Sequence, residues 1–209
     1  MISIVIQGFL LQASLILALG AQNIFVLNSG LRKKRHFLVA LVSSICDTTL
    51  IFVGVLGVAT FFIQYPILKI SLGIAGVSFL FFYGAMKINE SRNTIDITTT
   101  SSDTTNFWQT VFASLAFSLL NPHVYLETIV LVGGYSSKFS VLSERFFFGL
   151  GASSFSTLWF FGLAFSASLF RSFLNNQKAM RMVSLVSGII LVLLALKLGA
   201  EVTHWIIKD

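Results

Sequence analysis

Long stretches of apolar residues dominate the pattern along the chain, and short polar segments separate them. Each stretch has about the 20 residues that a helix needs to cross a bilayer. Because lipid offers no water to unpaired backbone groups, every stretch is predicted to be a transmembrane helix. The six stretches are Ile4–Leu27, Phe37–Ile63, Leu68–Met86, Trp108–Val132, Phe146–Phe170 and Met182–His204.

Composition excludes most other classes of protein. The chain has 209 residues, of which 56% are hydrophobic and 11% charged, whereas an average soluble domain has about 25% charged residues. Disordered chains are poor in apolar residues, and outer-membrane barrels show short alternating segments. An all-α polytopic membrane protein is therefore predicted. The sequence has no P-loop, CxxC or HExxH motif, so we expect neither an enzyme nor a bound cofactor or metal.

Basic residues are unevenly shared between the two sides of the predicted bundle. The net charge of +6 is therefore attributed to membrane orientation rather than to nucleic-acid binding. Because basic residues gather in cytoplasmic loops, both termini are predicted to lie outside the cytoplasm. One side has nine basic residues, and the other side has four, namely Lys69, Lys138, Arg145 and Lys208. The nine are Arg32, Lys33, Lys34, Arg35, Lys87, Arg92, Arg171, Lys178 and Arg181.

The chain is predicted to consist of two inverted three-helix repeats. Residues 1–88 form the first repeat, a Ser/Thr-rich cytoplasmic linker covers residues 89–107, and residues 108–209 form the second repeat. An apolar run is interrupted at 20–23 in the first helix of one half and at 121–123 in the first helix of the other. Interrupted helices at matched positions of inverted repeats indicate the substrate site of a transporter.

Two acidic residues lie deep in the apolar stretches, where ionisable groups are costly and usually functional. Asp47 lies about ten residues into the second stretch. It either binds a ligand or is a protonated carboxyl bonded to a neighbouring Ser or Thr. Glu127 follows Pro122, which frees a backbone carbonyl near Phe117 or Ser118. His123 shares a helical face with Glu127 and either binds a cation and protons or makes a structural hydrogen bond.

Other residues at the two interruptions complete the predicted site. Gln22, Asn23 and Asn121 either bind a polar ligand or tie helices together. Gly20 and Pro122 are the predicted helix breaks, and amide N–H groups at the start of a half-helix suit a carboxylate. Lys197, in the sixth stretch, either extends to the outer interface or pairs with Asp47 or Glu127.

Four segments resemble the LysE/ArgO family of basic amino-acid exporters of bacterial inner membranes. The resemblance implies a secondary transporter that exports arginine, lysine or an analogue and is coupled to the proton motive force. Two positions depart from the family pattern: Glu127 stands where Asp is common, and Lys197 stands where a neutral polar residue is common. The segments are Gly20–Gly30, Cys46-Asp47, Leu120–Thr128 and Leu158–Ala164.

The residues and the resemblance lead to one expected mechanism. Asp47 and Glu127 would hold the cation of a basic amino acid, backbone amides at the breaks would hold its carboxylate, and proton binding would compete with substrate. Export of a neutral amino acid or a divalent cation on the same fold is the alternative, and a non-transporting membrane subunit is a further one. The Gly-rich helices permit a homodimer but do not require one.

Overall fold

A computed structural model describes residues 1–16, 20–33, 35–58, 66–92, 106–170 and 177–208, and every regular element within these ranges is a helix. In chain order the helices are α1 (Ile2–Ile16), α2 (Ala21–Leu31), α3 (His36–Val53) with its π-helical continuation π1 (Gly54–Val58), α4 (Pro66–Arg92), α5 (Phe107–Leu119), α6 (Pro122–Tyr125) with its π-helical continuation π2 (Leu126–Val132), α7 (Gly133–Ser136), α8 (Leu142–Leu169) and α9 (Gln177–Lys208).

The length and composition of these helices are those of a membrane protein. In the described part of the chain, His36–Leu56, Leu142–Leu169 and Arg181–Ile207 are long and apolar enough to cross a bilayer. Helices α1 and α2 would make a fourth crossing if they form one span bent by 83°. Large apolar side chains are exposed along the bundle, as expected of a surface that faces lipid. The prediction of an all-helical polytopic membrane protein is therefore confirmed.

Two of the predicted stretches are divided in the structure. The first is split into α1 and α2, and Gly20 precedes α2 with an extended backbone (φ −88°, ψ 172°). The fourth is split between α5, which ends at Leu119, and α6, which begins at Pro122. Proline suits the first position of a helix because the N–H it lacks would have no intrahelical partner there. Residues 93–105 of the predicted linker lie outside the described ranges.

Helices α3 and α8 run antiparallel along one side of the bundle. The rings of Phe37 and Phe161 lie 6.5 Å apart near one end, and Ser156 bonds to Asp47 in the middle. Ile51 and Phe148 share an apolar cluster near the other end. A larger apolar core takes residues from α1, α2, α3, α4, α5, α8 and α9. The bundle thus places the middle of α3 opposite the middle of α8.

Glycine residues allow several helices to approach more closely than larger side chains would permit. A Cβ on Gly151 of α8 would lie 2.0 Å from the carbonyl oxygen of Val5 in α1. A Cβ on Gly84 of α4 would lie 3.0 Å from the carbonyl oxygen of Gly188 in α9, and the reciprocal distance is 2.8 Å. The α1–α8 and α4–α9 contacts therefore depend on the absence of side chains at these points.

Replacing Gly151 by alanine should lower the stability of the protein. The added Cβ would force α1 and α8 apart, at a cost of about 1–3 kcal/mol for an overpacked contact. Gly162→Ala, on the same helix, is the matched control because nothing lies within 4 Å of its Cβ position. Thermal unfolding in detergent should show a lower midpoint for Gly151→Ala only. Equal midpoints would contradict the close α1–α8 contact.

Candidate functional site

A cavity of about 190 Å³ lies where the two interrupted helices meet the middle of α3. It is smaller than the about 300–1,000 Å³ typical of pockets for drug-sized ligands, and its size suits one small molecule. Its polar lining residues in the described part are Gln12, Gln22, Asn23, Asp47, Asn121, Glu127 and Lys197. Its remaining lining residues are Ile16, Gly20, Ala21, Leu80, Val124, Leu194 and Leu198.

Most of the residues singled out in the sequence lie around this cavity. Gly20, Gln22, Asn23, Asp47, Asn121 and Glu127 all line it, although they come from both halves of the chain. Pro122 opens helix α6 beside Asn121. The side chains of Pro122 and His123 lie outside what the structure describes. The cavity therefore joins two carboxylates, four amides and a helix start at one place.

Asp47 is buried in the wall of the cavity and held by two neutral donors. It is 3% exposed. The Ser156 hydroxyl of α8 donates to its Oδ2 at 2.5 Å, and the Gln12 amide of α1 donates to the same oxygen at 3.3 Å. Within the described residues Oδ1 accepts no hydrogen bond. Since a buried carboxylate is costly without partners, this arrangement stabilises one oxygen and leaves the other for a ligand.

Glu127 is the second acid of the cavity and differs from Asp47 in its surroundings. It lies in π2 and is half-buried, and it accepts no hydrogen bond within the described ranges. Lys197 of α9 lines the same cavity. It is exposed and forms no ion pair with either acid. With all three groups ionised, the cavity has one negative charge in excess.

Side chains bridge the two helix breaks in similar ways. At the first break, the Asn23 amide donates to the carbonyl of Ile16 at 2.8 Å and accepts from Trp159 Nε1 at 3.1 Å. At the second, the Tyr125 hydroxyl donates to the carbonyl of Leu119 at 2.7 Å. In both cases a residue after the break binds the carbonyl of the last residue of the preceding described helix. Such side-chain bonds satisfy carbonyls at a helix end, which have no partner within the helix.

Gln22 connects the first break to the other half of the chain. Its amide donates to the Ser118 hydroxyl of α5 at 3.0 Å. The first turn of α2 lines the cavity, and no side chain caps the helix start at Gly20. Because the start of a helix has unpaired N–H groups and a positive dipole end, this wall of the cavity suits a negatively charged group.

The sequence did not single out Gln12, Ser156, Tyr125 or Trp159 as site residues. Gln12 had a detectable signal, because it is an amide within the apolar helix α1. Ser156 had none, since α8 contains several serines and only the packing selects one of them. Tyr125 and Trp159 are aromatic residues in apolar stretches. The Tyr125 hydroxyl and the Trp159 N–H find hydrogen-bond partners only in the folded structure of the helix breaks.

Tyr125→Phe should destabilise the second helix break. The substitution removes the hydroxyl that binds Leu119 and leaves a partly buried carbonyl without this partner, at about 1–3 kcal/mol. Tyr135→Phe is the matched control, because Tyr135 is exposed and its ring contacts would be kept. Thermal unfolding in detergent should separate the two variants, and a Tyr125→Phe midpoint equal to that of the control would contradict the bridge.

Comparisons with known proteins show which family the chain belongs to. The model of the "LysE type translocator" family matches residues 13–201. The curated "Arginine exporter protein ArgO" of Salmonella newport (strain SL254) is 37% identical over 203 residues, which cover 96% of this chain and 95% of the relative. The protein of the same name from Salmonella typhimurium shows the same identity and coverage. No solved structure matches. The chain is therefore not an enzyme but belongs to the LysE type translocator family.

Proposed function

We propose that the protein is a secondary transporter that exports arginine or lysine across the bacterial inner membrane in exchange for protons. One observation is central to this proposal: Asp47 and Glu127, from opposite halves of the chain, line one buried cavity together with the start of helix α2. Curated relatives named as arginine exporters, 37% identical over nearly the whole chain, support a basic amino acid as the cargo.

The proposed binding mode uses opposite charges at two walls of the cavity. The guanidinium or ammonium group of the substrate lies between Asp47 Oδ1 and Glu127, because a buried cation needs a counter-charge. The α-carboxylate lies at the first turn of α2, where amide N–H groups are unpaired. A planar guanidinium can bind two oxygens at once, which favours arginine over lysine. Gln22, Asn23 and Asn121 orient the substrate from the helix breaks.

Proton exchange follows from the same two acids. A carboxylate buried without a cation is stabilised when it takes up a proton. Substrate and proton then compete for one site, and the proton gradient drives the substrate outward. Binding of a cation and protons by His123 stays a prediction.

The proposed architecture has six transmembrane helices in two inverted repeats, 1–88 and 108–209, joined by the linker 89–107. The third helices of the two halves, α4 and α9, meet at Gly84 and Gly188. The second helices, α3 and α8, run antiparallel, and the first helices are both broken. These matched contacts support a pseudo-twofold relation between the halves.

Asp47→Asn and Glu127→Gln should each reduce arginine efflux by at least about tenfold, because one lost charge-assisted bond contributes roughly 1.5–3 kcal/mol. Efflux of labelled arginine and lysine from loaded vesicles measures this effect. Glu144→Gln, at the start of α8 and outside the cavity, is the matched control. Wild-type efflux in both cavity variants would refute the site. Transport of neutral amino acids or divalent cations instead would favour the alternative cargo.

The proposed orientation places both termini in the periplasm. In a protein without Cys46, Lys33→Cys should react with a membrane-impermeant thiol reagent only after the membrane has been permeabilised. A cysteine at Lys138, on the opposite side, should react in intact cells and is the matched control. Labelling of position 33 from outside intact cells would reverse the orientation.

A further inference from the structure

Four buried polar atoms near Asp47 have no hydrogen-bond partner. They are half of the eight such atoms in the described part of the chain, so they are concentrated around one residue. All belong to α1, α3 and α8, the helices that surround Asp47. The atoms are Oε1 of Gln12 and Oγ of Ser43, Ser44 and Ser153, in side chains that are 1%, 0%, 4% and 7% exposed.

Helix geometry places these atoms within about one turn of the Asp47 carboxylate. Ser43 and Ser44 precede Asp47 by four and three residues on α3 and so lie near it on the helix surface. Ser153 precedes Ser156, which binds Asp47, by three residues on α8. Because α3 and α8 are antiparallel, the two groups of hydroxyls extend from Asp47 toward opposite ends of the bundle. We call Gln12, Ser43, Ser44, Ser153 and Ser156 the polar seam.

The polar seam is a second environment of Asp47, beside the cavity. Ser43, Ser44, Ser153 and Ser156 do not line the cavity, whereas Gln12 and Asp47 do. A buried hydroxyl without a partner costs about 1–3 kcal/mol, and alanine at these positions would avoid that cost. Buried water satisfies such groups where two to four polar partners converge. Asp47 thus binds the seam through Oδ2 and has Oδ1 for the cavity.

We propose that the polar seam is a water-filled proton path to Asp47, separate from the substrate cavity. The proposal rests on the proton exchange proposed above. The Asp47 carboxyl gives its proton to a water held by Ser43 or Ser153, which becomes a hydronium ion. That ion passes its proton to the next water, and Gln12 and Ser156 stabilise the remaining carboxylate. The reverse steps bring a proton back to Asp47 from the other end of the seam.

The other charged groups near Asp47 belong to the cavity and not to the seam. Glu127 of π2 and Lys197 of α9 line the cavity. Helix α1 contains no charged residue, and α8 meets Asp47 through the neutral Ser156. A proton leaving through the seam therefore does not have to pass an amino acid in a cavity of about 190 Å³. This separation lets substrate binding in the cavity expel the proton through the seam.

Reconstituted protein can separate proton movement from substrate movement. In Ser43→Ala/Ser153→Ala, arginine transport driven by a pH gradient should fall about tenfold, whereas exchange of labelled for unlabelled arginine should change less than about twofold. Ser154→Ala and Thr49→Val are matched controls, since their exposed hydroxyls bond to their own helices. Wild-type gradient-driven transport in the double variant, or an equal loss of both activities, would overturn the proposal.

A second measurement decides the proposal without any transported substrate. The infrared carboxyl band of Asp47, identified by its loss in Asp47→Asn, can be followed after a pH jump. Its protonation should slow about tenfold in Ser43→Ala/Ser153→Ala and stay unchanged in Ser154→Ala. An unchanged rate in the double variant would overturn the seam. If the wild type moves no arginine, the proposed function fails, and the infrared rate still decides whether the seam conducts protons.

Discussion

The burial of the Asp47 carboxylate in an apolar bundle is the constraint on which the rest of the site depends. An ionised group at this depth costs several kcal/mol unless partners compensate it. The protein supplies two neutral donors, Ser156 and Gln12, and both bind the same oxygen. A fixed basic partner would have neutralised the acid permanently. Neutral donors keep the carboxylate in place and leave its charge available to a transported cation.

Bringing these donors to Asp47 requires close helix contacts, and this explains the placement of the glycines. Gln12 on α1 and Ser156 on α8 reach the acid because Gly8 and Gly151 let α1 and α8 approach backbone to backbone. The helix breaks supply the remaining wall, and Asn23 and Tyr125 bind the carbonyls of Ile16 and Leu119 at the ends of α1 and α5. Polar groups at membrane depth are thus tolerated because each is buried in protein or lines the cavity.

The sequence predicted the helical membrane class and singled out seven residues that line the cavity, Lys197 among them. Acids at Asp47 and Glu127 are detectable because charge is rare in apolar stretches, and Gly20 and Pro122 are detectable because they interrupt helices. Ser156 and Ser153 could not be selected, since serine is common in membrane helices and only the antiparallel packing of α3 and α8 brings them near Asp47. Sequence also left open whether Asn23 binds a ligand or ties helices together; in the structure its amide donates to the carbonyl of Ile16.

The charges of the cavity bear on how substrate and proton exchange. Asp47, Glu127 and Lys197 line the same space, so with all three ionised it has two negative charges and one positive charge. One further positive charge therefore makes the cavity neutral. Either one substrate cation or one proton supplies it, but both together would leave an excess positive charge in a medium of low dielectric constant. Without Lys197, a substrate and a proton could be held together. In the proposed cycle, the lysine thus turns two acids into a site that exchanges one cation for one proton.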